Sequence, residues 1–257
     1  MIYTLLTSSC LNMLVDGQEY PGLYMTGALL TQSCIQNTRC VFKGRDNKLF
    51  LYAATDIKKG EKLTHSHLKN LVHTGTVERR KLLREIFIDC CCPRCSDQSE
   101  AGTHVSDVLC QRCDGTCLPL NTLDQDSPWV CGGCGAGVSG EFVNTLTLSI
   151  QEEDIEESEE LNRYEAFKEK NKQILPDSHY LITSEKSKSF LQLDSFDTGN
   201  ISVQVFLFFQ AILTVAMLKK IEAGKDILKL ADILEPGLSV HRGKKGHSIL
   251  IITLYVF

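Results

Sequence analysis

Two groups of cysteines in this sequence are spaced as ligands of small zinc-binding modules are. Cys110 and Cys113 form one C-x2-C pair, Cys131 and Cys134 form a second, and 17 residues separate the pairs. Each C-x2-C turn presents two sulfurs to one ion, so the pairs predict a zinc ribbon with four thiolate ligands. Cys117 is a spare cysteine that could substitute for a neighbour. Ordinary buried thiols are the alternative interpretation.

The second group is the run from Cys90 to Cys95, which contains the pattern C-x-C-x2-C. Cys90, Cys92 and Cys95 supply three thiolates, so a fourth ligand must come from elsewhere, and Cys34 is the candidate. A catalytic zinc keeps an open position for water. Because no histidine or carboxylate is interleaved among these cysteines, the pattern favours a closed structural site. The sequence therefore predicts two structural zinc ions.

The composition of the chain indicates the redox compartment in which such sites would form and the class of partner that the protein would bind. The 257 residues include 12 cysteines, and no secretory signal pattern is evident at Met1, so we expect a reducing compartment in which paired cysteines bind metal. The net charge of −5 gives no general attraction to phosphate backbones. Because Arg112 is the single basic residue between Cys110 and Cys134, a nucleic-acid-binding ribbon is disfavoured. Protein partners are expected, with no direct nucleic-acid or membrane contact.

The elements that must position the first group are short strands and one helix. Up to about Phe87, apolar runs alternate with turn residues, and the stretch from Cys40 to Ala54 predicts a hairpin. The segment from Thr76 to Ile86 predicts a short helix leading into Cys90, because it has helical spacing of Arg79, Arg80, Leu82, Leu83 and Ile86. Residues 96–140 show little periodicity, as expected of a small module that metal stabilises.

From Glu141 onward the apolar spacing becomes helical and predicts stacked helices. We interpret the acidic run from Glu152 to Glu160 as a solvated helix face or loop rather than a partner-binding tail. The run from Ile201 to Leu218 approaches membrane-spanning length. Gln204 and Gln210 interrupt it, so a buried helix is the preferred interpretation.

Three motifs, in order along the chain, resemble the C-terminal SET and post-SET segments of SMYD proteins. They are the segment from Gly22 to Thr38, the segment from Asp56 to His67, and the trio Cys90, Cys92 and Cys95. The corresponding family patterns are Asn-His-Ser-Cys-x-Pro-Asn, Ile-x-x-Gly-Glu-x-[Leu/Ile] followed by Ser-Tyr, and a cysteine trio. Two later segments, from Leu175 to Tyr180 and from Leu230 to Gly243, resemble the arthropod SmydA branch.

The resemblance implies an α+β fold with four parts. Residues 1–86 would be the β-rich C-terminal part of a SET domain, 87–98 a post-SET zinc cluster, 99–140 an inserted zinc ribbon and 141–257 a TPR-like helical region, incomplete at its end. In this family the cysteine of the first motif, here Cys34, completes the post-SET zinc with the trio. The resemblance implies a SET domain that is truncated at its N-terminus, because this sequence lacks the family's MYND finger and early SET strands.

SMYD-like enzymes transfer a methyl group from S-adenosylmethionine to a lysine amine, so catalysis depends on positioning both groups in a desolvated channel. The family's cofactor-binding Asn and His fall on Thr31 and Gln32, and the aromatic residue near adenine falls on Ile88. The tyrosine that orients the lysine falls on His67. All four positions depart from the family pattern, so the resemblance implies a cofactor site that has degenerated.

Two functions follow from the resemblance. The first is a SET-derived protein without methyl transfer, acting as a zinc-binding protein-interaction or transcriptional-repression factor. The alternative is an active protein (histone) lysine N-methyltransferase of which this chain is a fragment, and sequence upstream of Met1 would discriminate the two. In either case the implied partners are proteins, such as histones or chromatin regulators, and the implied location is nuclear, cytoplasmic or both.

Overall fold

The computed structural model describes residues 10–15, 18–43, 46–69, 71–152, 163–192 and 221–237. These residues form a mixed α and β structure, as the α+β prediction requires. Most of the acidic run from Glu152 to Glu160 lies outside the described residues, and so does the whole run from Ile201 to Leu218. The interpretations of those two runs remain predictions.

Six short strands in the N-terminal part form three separate two-stranded pairs. Two of the pairs are antiparallel and one is parallel: β1 (Cys10–Val15) with β2 (Gln18–Leu23), β4 (Thr38–Lys43) with β5 (Lys48–Ala53), and, in parallel, β3 (Thr31–Gln32) with β6 (Thr64–His65). The β4–β5 pair confirms the predicted hairpin. Its turn includes Asn47 at a φ of 49°, a conformation that asparagine tolerates better than most residues.

Two helices position the cysteine trio. Helix α1 (Thr76–Glu85) confirms the predicted helix, and it carries Glu78 in its first turn and Arg84 in its last, as the helix dipole favours. Pro93 begins the short helix α2 (Pro93–Ser96), where its missing N–H costs nothing. Two 3-10 segments, Gly27–Leu29 and Leu71–His73, lie before α1 in the chain.

Four very short strands form one antiparallel sheet in the second cysteine segment. Their order across the sheet is β10, β9, β8, β7, with bounds Gly137–Val138, Trp129–Cys131, Thr116–Pro119 and Val108–Leu109. Strands of two to four residues are too short to show alternation, which explains the lack of a periodic signal in this part of the sequence. The pairing of β8 with β9 places Cys117 directly opposite Cys131.

Helices follow the sheet, as predicted for the residues after Glu141. They are α3 (Gly140–Glu152), α4 (Arg163–Asn171), α5 (Tyr180–Gln192) and α6 over residues 221–234. Their apolar faces share one core with the sheet, formed around Trp129, Val143, Phe167, Ile182 and Leu234. Within the described ranges, no helix combines the length and apolar character needed to cross a bilayer.

A fully buried histidine precedes α5. His179 Nδ1 accepts a hydrogen bond from the Leu181 N–H at 3.2 Å, so the proton of the neutral ring sits on Nε2. Nε2 is buried and has no acceptor within the described structure. Burial lowers the pKa of His179 to about 3, because charging the ring there would leave it without water. The folded protein therefore holds this ring neutral at pH 7.

We expect His179 to make folding sensitive to acid. Its folded pKa is depressed, so its contribution to stability is complete above the unfolded pKa near 6.5 and is lost as the pH falls from there towards 3. The free energy of unfolding can be measured with urea at pH 7.5, 6.5 and 5.5. Below pH 6.5, this free energy should fall more steeply in the parent than in His179→Gln, by up to about 1.4 kcal/mol per pH unit. Protonation of the cysteines affects both proteins alike. Parallel pH profiles would contradict this assignment.

Candidate metal centres

The first cysteine cluster contains Cys34, Cys90, Cys92 and Cys95. Their sulfurs all lie within 4.8 Å of one another, and those of Cys34 and Cys95 are 3.6 Å apart. Four thiolates around a zinc ion at about 2.3 Å form a tetrahedron with edges of about 3.8 Å. The observed spacing fits one zinc ion. The loop that follows β3 and the N-terminal end of α2 therefore bring together residues that are 61 positions apart in sequence.

This cluster is closed to solvent. All four cysteines are buried, with 8% of Cys92 exposed and less of the others. Apolar side chains pack around them, namely those of Leu68, Leu71, Leu83, Ile86, Ile88 and Leu123. A site with four protein ligands and no solvent access leaves no position for a reactive water. The four buried cysteines fit a structural zinc site rather than a catalytic one.

The thiols of the first cluster differ in the direction in which their pKa is shifted. Hydrogen bonding with Cys90 is the main cause that lowers the pKa of Cys34, to about 7, and contacts with Cys34 and Cys90 lower the pKa of Cys92. Hydrogen bonding with Cys34 is the main cause that raises the pKa of Cys90 and of Cys95. Four thiols that lie this close together can release their protons to a divalent ion that binds between them.

Two buried arginines and one buried glutamate lie beside this cluster. Arg79 donates to Glu100 Oε2 at 2.6 Å and to Cys95 Sγ at 3.8 Å, and Arg94 Nε donates to the same carboxylate oxygen at 3.0 Å. Burial alone would raise the pKa of Glu100, but the two guanidinium charges hold it below its usual value. Four thiolates exceed the charge of a zinc ion by two, so a positive group at Cys95 suits a metal-loaded cluster.

A third arginine joins the trio to the ribbon segment. Arg80 donates to the carbonyl of Cys90 at 3.0 Å and to Asp89 Oδ1 at 2.7 Å. It also donates to the carbonyls of Thr122 and Leu123, which precede β9. Because these carbonyls are buried or nearly so, the guanidinium satisfies groups that would otherwise lack partners. The first cluster and the ribbon are therefore held in one packed unit.

The second cluster contains the four predicted ribbon cysteines, Cys110, Cys113, Cys131 and Cys134. Their sulfurs also lie within 4.8 Å of one another. The sulfurs of Cys110 and Cys134 are 3.7 Å apart, and those of Cys113 and Cys131 are 3.5 Å apart. These distances match the edges of a zinc–thiolate tetrahedron of about 3.8 Å. The structure thus brings together both sets of cysteines that the sequence predicted.

Backbone N–H groups favour the thiolate form in the second cluster. Three sulfurs accept an N–H from the residue two positions later, at 3.3–3.4 Å: Cys110 from Arg112, Cys113 from Gly115 and Cys131 from Gly133. Such bonds to an anion are stronger than neutral ones. Backbone donors from Cys134 and Gly133 lower the pKa of Cys131 to about 6. At Gly115, a Cβ would lie 3.1 Å from the Cys131 sulfur, which favours glycine there.

Gln32 and His67 lie together, whereas the other residues at family cofactor positions do not join them. Gln32 Oε1 accepts the His67 backbone N–H at 3.0 Å and lies 2.9 Å from His67 Nδ1. Burial lowers the pKa of His67. Because Gln32 Oε1 can only accept a hydrogen bond, the ring donates to it from Nδ1. Thr31 is exposed on β3 and Ile88 packs against the first cluster.

Asn37 links the first two motifs of the predicted resemblance. Its Oδ1 accepts the Thr64 N–H at 2.8 Å, and its Nδ2 donates to the Lys62 carbonyl at 2.9 Å and to Glu61 Oε1 at 3.2 Å. Glu61 also accepts the Lys58 N–H at 3.0 Å, which closes the turn before β6. This turn contains Gly60 at a φ of 87°, where a side chain would be strained. These contacts maintain the loop that carries Cys34.

Comparison with known proteins gives matches that cover part of this chain, to SET domain-containing proteins and lysine methyltransferases. No family model matches the chain. It is 31% identical over 116 residues to the SET domain-containing protein SmydA-8, isoform A, of Drosophila melanogaster, covering 44% of this chain and 24% of that protein. It is 34% identical over 91 residues to the protein-lysine N-trimethyltransferase SMYD5 of Gallus gallus, covering 35% of this chain and 22% of the relative.

A third relative is the histone-lysine N-methyltransferase SMYD3 of Homo sapiens, 41% identical over 80 residues, or 31% of this chain and 18% of that enzyme. The chain thus spans about a quarter or less of the length of these relatives. The motifs and the comparisons make this chain similar to one class of proteins, the SET-domain methyltransferases. The similar proteins are of the SMYD type, so the predicted resemblance is confirmed.

Proposed function

We propose that this chain is a SET-derived, zinc-stabilised protein-interaction module that has lost methyl transfer. The observation that carries the proposal is the pairing of Gln32 with His67. These two residues occupy positions at which the resemblance implies a cofactor ligand and the lysine-orienting tyrosine. Here the carboxamide oxygen is bonded to the backbone and ring of His67 instead. No tyrosine hydroxyl is available at this position to orient an amine.

S-adenosylmethionine does not fit the residues present at these positions. Thr31 lacks the amide group of the family asparagine, and its backbone N–H already donates to the Leu63 carbonyl at 3.1 Å. Ile88 has no aromatic ring for adenine and belongs to the apolar shell of the first cysteine cluster. Catalysis by positioning fails when several positioning groups change together. The proposed role therefore involves no methyl-transfer step.

Zinc, by contrast, suits both cysteine clusters. In the proposal, Cys34, Cys90, Cys92 and Cys95 form the post-SET site, and the other four predicted cysteines form the zinc ribbon. Each ion would supply cross-linking between segments that have little apolar core of their own. The residues of both sites act by fixing the backbone, and neither site leaves a ligand position for a substrate.

The proposed partners are proteins, such as histones or chromatin regulators. Hairpin β4–β5 exposes apolar side chains that a monomer has little reason to expose together, among them Phe50 at 42% and Tyr52 at 44%. In the proposal the helices after residue 140 are a TPR-like region that presents a second protein-binding surface. Transcriptional repression in the nucleus is the corresponding biological role, with the cytoplasm as the other location.

The second candidate function is protein-lysine methyl transfer by a longer protein of which this chain is a part. The specific observation in its favour is that several similar proteins are named as lysine methyltransferases. In that case the neutral His67, with Nε2 unprotonated, would face the substrate amine in place of a tyrosine. The two candidates differ in whether the residues of this chain contribute to a cofactor site.

Calorimetric titration of the zinc-loaded chain with S-adenosylmethionine tests the proposal. We expect no binding of S-adenosylmethionine at concentrations up to about 1 mM. A Kd above that value corresponds to a binding free energy of less than about 4 kcal/mol. A heat that saturates at micromolar ligand, and that S-adenosylhomocysteine competes away, would contradict the proposal and support the methyltransferase. Lysine-peptide assays with the parent and His67→Tyr would then follow.

A further inference from the structure

The two cysteine clusters differ in their access to solvent. In the first cluster all four cysteines are buried, and apolar side chains pack around them. In the second cluster Cys131 is buried, whereas Cys134 is exposed. A reagent dissolved in water can therefore reach Cys134 without any movement of the chain, while the first cluster is closed to it.

Zinc would keep Cys134 in the form that reacts with oxidants. A cysteine that binds zinc is a thiolate, and the thiolate rather than the thiol is the nucleophile. Susceptibility to oxidation follows thiolate character and exposure together. Of the four ribbon cysteines, Cys134 combines both properties most fully, because it is the exposed one.

The sulfur of Cys110 is the natural partner for an oxidised Cys134. These two sulfurs lie 3.7 Å apart, and those of Cys113 and Cys131 form a second close pair at 3.5 Å. Cys117 is not among the four sulfurs of this segment that lie within 4.8 Å of one another. A sulfenic acid formed at Cys134 would therefore have the Cys110 thiolate beside it, and such an acid condenses with a neighbouring thiolate to a disulfide.

We propose that Cys134 and Cys110 are the site at which peroxides oxidise this protein and release its ribbon zinc. The proposal rests on the zinc ribbon proposed above. The Cys134 thiolate attacks one oxygen of hydrogen peroxide, the O–O bond breaks, and a sulfenic acid and a hydroxide ion form. The Cys110 thiolate then attacks the sulfenic sulfur, an S–S bond forms and a second hydroxide leaves. The two sulfurs lose two electrons to the peroxide, and the zinc ion leaves unchanged in charge because two of its four ligands are gone.

The oxidised site is connected to the helical region. The Leu109 N–H donates to the Ile174 carbonyl at 2.8 Å, and Gln111 Nε2 donates to the Gln173 carbonyl at 3.0 Å. Both chain neighbours of Cys110 thus bond to the segment between α4 and α5. Loss of the ion frees the turn that carries Cys110 and weakens these bonds. Because the helices after residue 140 bind a partner in the proposed function, peroxide would regulate that binding.

The test treats the zinc-loaded parent and Cys91→Ser with excess hydrogen peroxide, beside untreated samples. Cys91 is exposed and outside both clusters, so its removal controls for oxidation of an ordinary surface thiol. In both proteins we expect release of about one of two ions to a coloured chelator and a disulfide between Cys110 and Cys134 in the peptide map. Amide exchange at Leu109 should become faster. Reduction by a dithiol in the presence of zinc should restore the second ion.

The outcomes distinguish this inference from the zinc ribbon on which it rests. A parent that holds fewer than two ions before treatment would contradict the zinc assignment itself. A parent that holds two ions and keeps both in peroxide, or loses both, would overturn the inference and leave the ribbon intact. A disulfide that joins other cysteines, or a Cys91→Ser variant that keeps both ions, would also overturn it.

Discussion

Replacing Glu100 by glutamine should lower the free energy of unfolding by about 3–5 kcal/mol, because it leaves two buried guanidinium charges without their carboxylate. Arg79 and Arg94 both donate to Glu100 Oε2, and all three residues are 1% exposed or less. The second oxygen, Oε1, accepts from the Thr76 N–H at 3.1 Å and from the Ser106 hydroxyl. The measurement is urea denaturation of the zinc-loaded parent and variant at pH 7.5.

Glu85→Gln is the matched control for this substitution. Glu85 is exposed at the end of α1, so the same chemical change should alter stability there by about 0.5 kcal/mol or less. Similar small effects at both positions would contradict the ionic network around Glu100. In that event the arginines would depend on the thiolates and backbone carbonyls alone.

Replacing Cys34 by serine should remove the zinc ion of the first cluster and detach the loop that carries this residue from α1 and α2. Cys34 is the one ligand of this cluster outside the trio, and its backbone N–H also donates to the Cys92 sulfur at 3.4 Å. Structural zinc contributes on the order of 10 kcal/mol to small modules, so losing one thiolate should cost at least about 3 kcal/mol. Zinc content and amide exchange of residues 31–69 are the measurements.

Cys91→Ser is the control for the Cys34 substitution, since Cys91 lies in the same run but is exposed and outside the cluster. We expect the control to retain both ions and the exchange rates of the parent. If Cys34→Ser also keeps two ions per chain, the trio must bind metal with another partner. The proposed post-SET ligand set would then be incorrect.

The parts of the structure that could be predicted from sequence are those with local signals. The ribbon pairs have a fixed short spacing, and hairpin β4–β5 and helix α1 each have their own periodicity. Asn37 and Gly60 have chain positions that match the resemblance, and the structure shows their physical use in a turn and its hydrogen bonds. Cys34 was already the candidate fourth ligand, but no local spacing connects it to the trio, and the resemblance supplied the reason to choose it.

The ionic network beside the first cluster could not be predicted in this way. Helical spacing placed Arg79 and Arg80 with Leu82 and Leu83, but the structure buries both arginines and leaves Leu82 37% exposed. Hydropathy assigns charged side chains to the solvent, and their burial depends on Glu100, which lies in a segment without periodicity. The signals in the sequence were a carboxylate between two cysteine clusters and a pair of adjacent arginines, and neither is specific.

The pairing of Gln32 with His67 also depends on tertiary structure. The two residues are 35 positions apart, and the parallel pairing of β3 with β6 brings their backbones together. The resemblance identified each as a departure from the family pattern. The structure adds that the two departures contact each other, which is why they support one proposal about lost cofactor binding.

The zinc content of the purified parent chain decides whether both cysteine clusters are metal sites, and it can be measured by elemental analysis after exhaustive dialysis against buffer without chelator. We predict two ions per chain, one in each four-cysteine cluster. Removal of both ions by a strong chelator should be accompanied by loss of the tertiary fold around both clusters. A folded, monodisperse chain that contains no zinc would contradict the assignment of both sites.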